Sequence, residues 1–557
     1  MKRICIPLAI ALALPAFAQD AAQTSGRIQE SLERRALQEQ VEANRRGPAL
    51  SEGFKTEEDK ADEAAPTAEE RKPILPLKRL EFGETKVVPE SLLAELRGRY
   101  EGRTVSIADI KAIAAAVNKY YRGHGYLTSR AYLPEQDVSG GTLRVELMEG
   151  TVGKVDATGL TTTKPEYVRR ASGIKPGEIF RTDTLEAKLA EFNTFTDLKS
   201  RLNISPGKAD GTSDLELVMQ ERKRFGATLL ADNGGQHSTG YYRGGVFATA
   251  RGLVSTAYTR DVLTAGYVGS RGANTFSGAY AITENVLKTT WGVSLDHSKT
   301  HSITDELRDL DVRSKFTACT LNVKRSLYTN ARNILSNGLA FTFKSTGSTI
   351  SGYKMYDSRT NTLAYTLDYL ALFERGYLYN AVIATRGWQL AGEYQDFWRA
   401  NYRLEGNYAL TGFLGLNARL NAQIGNRRVM QGSEQIQIGG VNSVRGYEEG
   451  LLNGERGYAL QLELRGNLKS LWKTAPSWLG SAEFFVFYDC GQLRHETMSQ
   501  ALTSASEAFL ASTGCGLRCG ILNHLNASFT MAMPLKKHVY NLRDNKPHWL
   551  FAVTAEF

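Results

Sequence analysis

From Arg224 to the end of the chain, the sequence consists largely of short segments in which apolar and polar residues alternate. From Leu414 to Ile424 every second residue is apolar, and Arg419 lies in the opposite set. The same division recurs from Tyr458 to Arg465. A soluble sheet would keep arginine off its core face, so this pattern favours lipid outside and a charged, wet lumen inside. The spacing of the segments predicts a transmembrane β-barrel of about 16 antiparallel strands, with a large soluble β-protein as the alternative.

The C-terminal ten residues, HWLFAVTAEF, form an amphipathic strand that ends on an aromatic residue. Its apolar face carries Trp549, Phe551, Val553, Ala555 and Phe557. A terminal aromatic of this kind resembles the signal by which outer-membrane barrels are recognised for insertion. Phe557 is therefore the predicted insertion signal.

The N-terminus has the features of an export signal. Lys2 and Arg3 precede an apolar run and an Ala16-Phe17-Ala18 motif, which predicts a signal peptide over residues 1–18. The apolar run is too short for a membrane anchor, and no later apolar run reaches the ~18 residues of a spanning helix. Residues 19–48 include a polar helix with a thin apolar stripe, and residues 49–72 have the acidic composition of a disordered linker.

Between the linker and the barrel, the residue pattern indicates two α+β modules of the order β-α-α-β-β. The first covers residues 73–150, and its second helix is capped by Ser106. The second covers residues 151–222, with a helix capped by Thr182 or Asp183. The predicted barrel then occupies residues 223–557.

The run GYLTSRAYLPEQDVSGGTLRVELMEG, residues 125–150, resembles the first POTRA domain of two-partner secretion transporters. The two modules together resemble a tandem POTRA pair. The whole mature chain is similar to the ShlB/FhaC/HecB group of outer-membrane transporters. The resemblance implies that the helix in residues 19–48 plugs the resting pore and leaves it through the linker.

A long segment, residues 425–457, separates two predicted barrel strands and contains Val444-Arg445-Gly446-Tyr447. Long barrel loops either cover the outside or fold back into the lumen, so an arginine on an external loop is the alternative. Residues 435–447 resemble the sixth-loop signature of the POTRA-plus-barrel superfamily. FYDCG and GCGLRCG resemble its thirteenth and fourteenth barrel strands. By that resemblance Arg445 pairs with Asp489 on the inner wall and Arg518 occupies the GLR position; Glu463 is a second candidate partner.

Several other classes of function are disfavoured. The net charge, +9 for the whole chain and +7 without Lys2 and Arg3, is spread out, so no nucleic-acid partner is expected. We expect no cofactor, metal or catalytic residues, since the enzyme and phosphate-binding motifs are missing from the sequence. His297 and His301 fall in a predicted loop, where a metal site is a weak alternative. Cys515 and Cys519 are expected to face lipid, with a disulfide to Cys490 as the alternative.

The expected function is an outer-membrane pore that translocates a large unfolded partner exoprotein, adhesin-like or haemolysin-like, from periplasm to cell surface. The partners implied are an exoprotein with an N-terminal secretion domain, outer-membrane lipids, and, during biogenesis, the barrel assembly machinery and periplasmic chaperones. The alternatives are an outer-membrane protein assembly factor and, less favoured, a passive porin or a barrel hydrolase.

Overall fold

The computed structural model describes residues 21, 37, 41, 67–196, 198–221, 223–254, 256–284, 287–305, 309–330, 332–391, 396–426, 430–472, 474–494, 507–522, 524–536, 538–539, 542–543 and 546–557. The predicted signal peptide, most of the predicted plug helix and most of the predicted linker lie outside these residues. No helix in the described ranges is both long and apolar enough to cross a membrane.

The first N-terminal module folds as predicted, with an additional strand pair. Its elements are β1 (Pro73–Leu77), β2 (Arg79–Phe82), α1 (Glu90–Tyr100), β3 (Arg103–Ser106), α2 (Ile107–Gly123), β4 (Arg130–Tyr132) and β5 (Thr142–Met148). The sheet order is β2-β5-β4, with β2 parallel to β5, and β1 pairs separately with β3. Ser106 caps α2 by accepting a bond from the Asp109 backbone at 3.1 Å, and the bonds that Asp109 accepts from Ser106 lower the pKa of Asp109. The β1–β3 pair was not predicted.

The second module repeats the same topology in a smaller form. Its elements are β6 (Thr151–Thr158), α3 (Pro165–Ser172), α4 (Thr182–Phe195), β7 (Lys199–Pro206) and β8 (Thr212–Gln220). Its sheet order is β6-β8-β7, again with the first strand parallel to the last. The predicted cap of α4 was wrong: Arg181 is the N-cap residue, and it makes no side-chain capping bond. Thr182 is already helical, and its hydroxyl bonds the carbonyl of Gly125 instead.

Sixteen antiparallel strands close into a barrel, as predicted. They are β9 (Phe225–Asp232), β10 (Arg243–Arg251), β11 (Thr259–Gly269), β12 (Ala273–Glu284), β13 (Thr289–His301), β14 (Arg313–Thr329), β15 (Asn333–Ile350), β16 (Tyr353–Phe373), β17 (Gly376–Ala391), β18 (Phe397–Ala409), β19 (Leu414–Gly425), β22 (Arg456–Asn467), β23 (Leu479–Arg494), β24 (Glu507–Ile521), β25 (Leu525–Pro534) and β28 (His548–Glu556). The remaining elements are β20 (Ile436–Ile438), β21 (Leu452–Gly454), α5 (Leu468–Leu471), β26 (His538–Val539) and β27 (Leu542–Arg543). Closure between β28 and β9 uses five residue pairs, from Ala552 with Asp232 to Glu556 with Thr228.

Alternation along each strand separates the two faces of the barrel wall. On β19, Leu416 and Ile424 are exposed on the outer face, whereas Asn417 and Gln423 are buried on the inner face. The terminal strand likewise exposes Trp549 on its apolar face. A polar inner face and an apolar outer face are what a water-containing barrel in lipid requires.

The structure contradicts the loop predicted around His297 and His301, and it shows no disulfide among the described cysteines. His297 and His301 lie on β13 rather than in a loop, and four residues along a strand separate them by about 13 Å, too far for one metal ion. All four described cysteines are free, and Cys490 pairs in register with Ala511 rather than with another cysteine. The alternative disulfide is therefore absent.

Candidate functional site

The segment between β19 and β22 folds back into the barrel. Within it, a short 3-10 turn at Gly432–Glu434 precedes β20, which pairs with β21 as a small hairpin. Residues 430–455, which we call the inward loop, carry both buried charge and buried apolar side chains. Val444 is fully buried against Ile438, Leu452 and the wall residue Leu493. Arg445, on the same loop, is only 4% exposed.

Arg445 is held by the wall through a two-pronged contact with one carboxylate. Its Nε donates to Asp489 Oδ2 at 2.7 Å and its Nη2 donates to Asp489 Oδ1 at 2.8 Å. The Arg445 backbone N–H also donates to Asp489 Oδ2, at 3.1 Å. This parallel arrangement uses the planar fork of the guanidinium, which lysine cannot reproduce. The side chain and the loop backbone are thus fixed together on β23.

Glu463 on β22 joins three arginines into one cluster. It accepts from Arg445 Nη1 at 2.7 Å, from Arg465 Nη2 at 2.7 Å and from Arg518 Nη2 at 2.9 Å. Together with Asp489 these residues form the Arg445 cluster, which joins the inward loop to β22, β23 and β24. Burial lowers the pKa of Arg445, but bonds to Asp489 and the charge of Glu463 raise it above its ordinary value. Arg445 therefore remains a cation.

Two aromatic rings complete this site, and the sequence analysis missed them. Arg445 Cζ lies 3.7 Å from the Phe487 ring centroid, and Arg518 Cζ lies 3.9 Å from that of Phe485. Both rings face inward on β23. A Cβ at Gly516 would lie 2.4 Å from Phe485, and one at Gly514 would lie 2.7 Å from Phe487, so the glycines of β24 make room for the rings. Phe485 and Phe487 lie four and two residues before the inward-facing Asp489 on β23, so the alternation of faces along the strand could have identified both rings as inward-facing.

A second buried cluster, also missed, holds the other end of the inward loop. Glu434 has a fully buried side chain, and its carboxylate contacts Lys344 Nζ at 2.5 Å and Arg399 Nη2 at 3.3 Å. These three residues form the Glu434 cluster, on β15 and β18. Burial raises the pKa of Glu434, but Lys344 and Arg399 outweigh it and lower the value to about 2. Nearby, Gln431 donates to Thr346 Oγ1 on β15 at 2.9 Å.

The two clusters lie on different parts of the wall. The Glu434 cluster lies on the seventh and tenth barrel strands, and the Arg445 cluster lies on the twelfth to fourteenth of sixteen. The inward loop therefore bridges the lumen between them instead of lining one side. Any polypeptide that passes through the barrel has to pass this loop or displace it.

The remaining predicted site residues, Tyr447, Gly446 and Phe557, are not members of either ion cluster. Tyr447 donates its hydroxyl to the Ala511 carbonyl on β24 at 2.9 Å. Gly446 has a φ of +86° and lies against the backbone of Ala532 and Pro534, a conformation and a space that suit glycine. Phe557 is far from the clusters in the fold: its backbone pairs with Ala227 at the β28–β9 closure, and its side chain is exposed.

Three described residues from the predicted plug helix pack against the inner face of the barrel. Ala21 contacts Phe316 and Ala318 on β14. Val41 is 3% exposed, and with the partly buried Leu37 it packs on an apolar patch formed by Ile334, Leu370, Leu372 and Tyr377. All three are helical. Among the residues described, no group of histidine, cysteine, aspartate or glutamate side chains has a metal-binding arrangement.

Comparison with known proteins gives two family matches. Residues 211–519 match the model described as haemolysin secretion/activation protein ShlB/FhaC/HecB, and residues 75–150 match the POTRA domain, ShlB-type. The chain is 23% identical over 498 residues to the heme/hemopexin transporter protein HuxB of Haemophilus influenzae, with 86% of each chain covered. It is 24% identical over 455 residues to the outer membrane transporter CdiB of Dickeya dadantii, covering 78% of this chain and 79% of the relative. The solved structure of CdiB from Escherichia coli has the same fold, with a TM-score of 0.72, 19% identity and coverage of 98% and 99%.

Proposed function

The chain belongs to the haemolysin secretion/activation protein family ShlB/FhaC/HecB, and on that premise we propose that it exports one dedicated, unfolded exoprotein past its inward loop. It is an outer-membrane transporter of two-partner secretion, with its barrel in the outer membrane and its POTRA domains in the periplasm. The observation that carries the proposal is the inward loop, fixed by two ion clusters across the lumen. The client is the exoprotein class with an N-terminal secretion domain.

The capture step is assigned to the POTRA domains. In the second module, β6 and β7 are the edge strands of the sheet, and in the first, β2 and β4 are. An extended client can add to such an edge through its backbone, a mode of binding that tolerates many sequences. We infer that folding of the client outside the cell biases its movement, without a catalytic step in this chain.

The N-terminal helix is assigned the role of a resting plug. The packing of Val41 on Tyr377 and its neighbours supports this, since an apolar patch on the inner wall is thereby covered. Deletion of residues 20–48 should raise the single-channel conductance of the purified protein in planar bilayers. Equal conductance of the deletion variant and the full chain would refute the plug.

The remaining partners are proposed because a β-barrel has to be delivered to the outer membrane and inserted into it. The outer face of the barrel contacts outer-membrane lipids, and the barrel assembly machinery and periplasmic chaperones act before it is folded. Phe557 at the closing strand is the proposed recognition residue. Phe557→Ala should lower the amount of inserted barrel without altering transport per inserted molecule.

The transport function is tested by co-expression with a candidate exoprotein that carries an N-terminal secretion domain. Delivery to the surface or the medium should require both this chain and the secretion domain of the client. An assembly factor would instead change the levels of several unrelated outer-membrane proteins on depletion. Export that is unchanged without this chain would overturn the proposal.

A further inference from the structure

The outer face of the barrel carries two lysines directly opposite each other on adjacent strands. Lys299 on β13 and Lys315 on β14 are register partners, and both are exposed. Like charges facing each other across an antiparallel pair are destabilising. Among the residues that the structure describes, neither lysine has an acidic partner. Within the described parts of the chain, no contact offsets their mutual repulsion.

Both lysines point away from the lumen. On β13, Trp291 and Leu295 share the parity of Lys299 and are 55% and 59% exposed, whereas Ser298 is fully buried on the inner face. On β14, Leu321 shares the parity of Lys315 and is 51% exposed. The lysines therefore continue an apolar, lipid-facing surface.

Their depth places them at one edge of the membrane. Eight residues separate Trp291 from Lys299, which corresponds to about 20 Å along the membrane normal for a strand tilted by 35–45°. The apolar band of such barrels is about 25 Å tall. Since β9 follows the periplasmic domains directly, the odd-numbered barrel strands run outward, and β13 is the fifth. Lys299 and Lys315 thus lie towards the outer end of the apolar band, where their long side chains reach the headgroups of the outer leaflet.

The side chains beside Lys299 and Lys315 on β12, β13 and β14 do not neutralise their positive charge. His301 lies on the same face as Lys299, and its register partner Arg313 is paired with Asp311 at 2.8 Å. Asn274, exposed on β12 and in register with Lys299, adds an amide.

β15, which pairs with the other edge of β14, supplies no negative charge to Lys315. Lys315 faces Gly347 on β15, which has no side chain, and the next residue in register is Asp357. Asp357 is already paired with Lys354 at 2.5 Å. None of the described residues therefore neutralises the two opposed lysines.

We propose that Lys299 and Lys315 together bind a phosphate of a phosphorylated glycolipid of the lipopolysaccharide class in the outer leaflet. An anion between the two ammonium groups removes their mutual repulsion, and lysine binds phosphate as a point charge. The acyl chains of the same lipid would lie along Leu295 and Leu321 below. The inference rests on the outer-membrane location and is independent of the transport step.

The test compares a double variant, Lys299→Gln with Lys315→Gln, against wild type in detergent solution. The probe is purified rough-type lipopolysaccharide, and native mass spectrometry measures the bound fraction. Each lysine near an anionic lipid surface contributes about fivefold, so the double variant should bind about twenty-five-fold more weakly. A control that removes both members of an ion pair at the same end of the barrel, Lys354→Gln with Asp357→Asn, should bind as wild type does.

A second probe isolates the phosphate. The dephosphorylated glycolipid should bind wild type and the double variant equally weakly. Equal binding of the phosphorylated probe by wild type and the Lys299→Gln, Lys315→Gln variant, or an equal loss in the Lys354→Gln, Asp357→Asn control, would overturn the site. Heat-dependent gel migration confirms that each variant is a folded barrel, and unchanged client secretion would leave the transport proposal untouched.

Discussion

The inward loop is held at two places, and the two differ in the way that charge is arranged. In the Arg445 cluster, the side chains of Arg445, Glu463 and Asp489 are each 5% exposed or less, and the contacts are forked. In the Glu434 cluster the carboxylate is fully buried, but the side chains of Lys344 and Arg399 are 14% and 19% exposed and reach it from two sides. The forked contacts of the Arg445 cluster fix both the orientation and the position of the inward loop, whereas the contacts of the Glu434 cluster fix mainly its position. The tip of the loop, held by Arg445, is therefore the harder end to release.

Arg445→Ala should have the largest effect. It leaves the Asp489 carboxylate buried without its forked partner, and breaking one side of a buried ion pair costs on the order of 3–5 kcal/mol. We expect secretion of the client to fall by more than tenfold while the barrel stays inserted. The measurement is exported client per inserted transporter.

Arg445→Lys is the matched control for that variant. It keeps the charge but loses the fork, so an intermediate loss is expected. Normal export by Arg445→Ala would refute the role assigned to the Arg445 cluster.

Glu434→Ala should have a smaller effect, because the two cations that it leaves are partly in contact with water. A buried donor that loses its acceptor costs about 1–3 kcal/mol. We expect a higher mean conductance in planar bilayers, as the base of the loop becomes free to move, with export reduced less than in Arg445→Ala. Glu448→Gln, an acidic residue of the same loop outside the cluster, is the control. A larger defect than that of Arg445→Ala would reverse the ranking of the clusters.

The double variant of Arg445→Ala and Glu434→Ala measures whether the clusters act as one unit. Substitutions with no shared partners add, whereas residues coupled through one element show interaction energies of about 0.5–3 kcal/mol. Because both clusters hold the same short loop, we expect the second substitution to cost less in the background of the first. Urea unfolding of the vesicle-inserted barrel provides the free energies. Strict additivity would mean that the two ends of the loop are independent.

Tyr447→Phe should have the smallest effect of the set. It removes one hydroxyl that donates to the Ala511 carbonyl, a contribution of about 1 kcal/mol, and keeps the ring packing. The expected result is a small loss of unfolding free energy with near-normal export. An export defect as severe as that of Arg445→Ala would show that the tip depends on this hydroxyl more than on the ion pairs.

The two faces of the barrel, the strand number, the tandem modules and the long segment that carries the Arg445 motif could be predicted from the sequence. These features follow from local periodicity: a wall between lipid and water repeats every two residues, and helix caps such as Ser106 act within three residues. Resemblance to a known family supplied Asp489 as the partner of Arg445.

Contacts between residues that are far apart in the sequence depend on the tertiary structure and could not be predicted. Lys344 and Glu434 are 90 residues apart, and Phe487 faces Arg445 only because Gly514 on the next strand leaves room for its ring. The helix cap at Thr182 and the loop predicted around His297 were wrong because long-range pairing outweighed the local signals there. Register between strands and the path of the inward loop through the lumen depend on the closed barrel as a whole. No short window of residues encodes that closure.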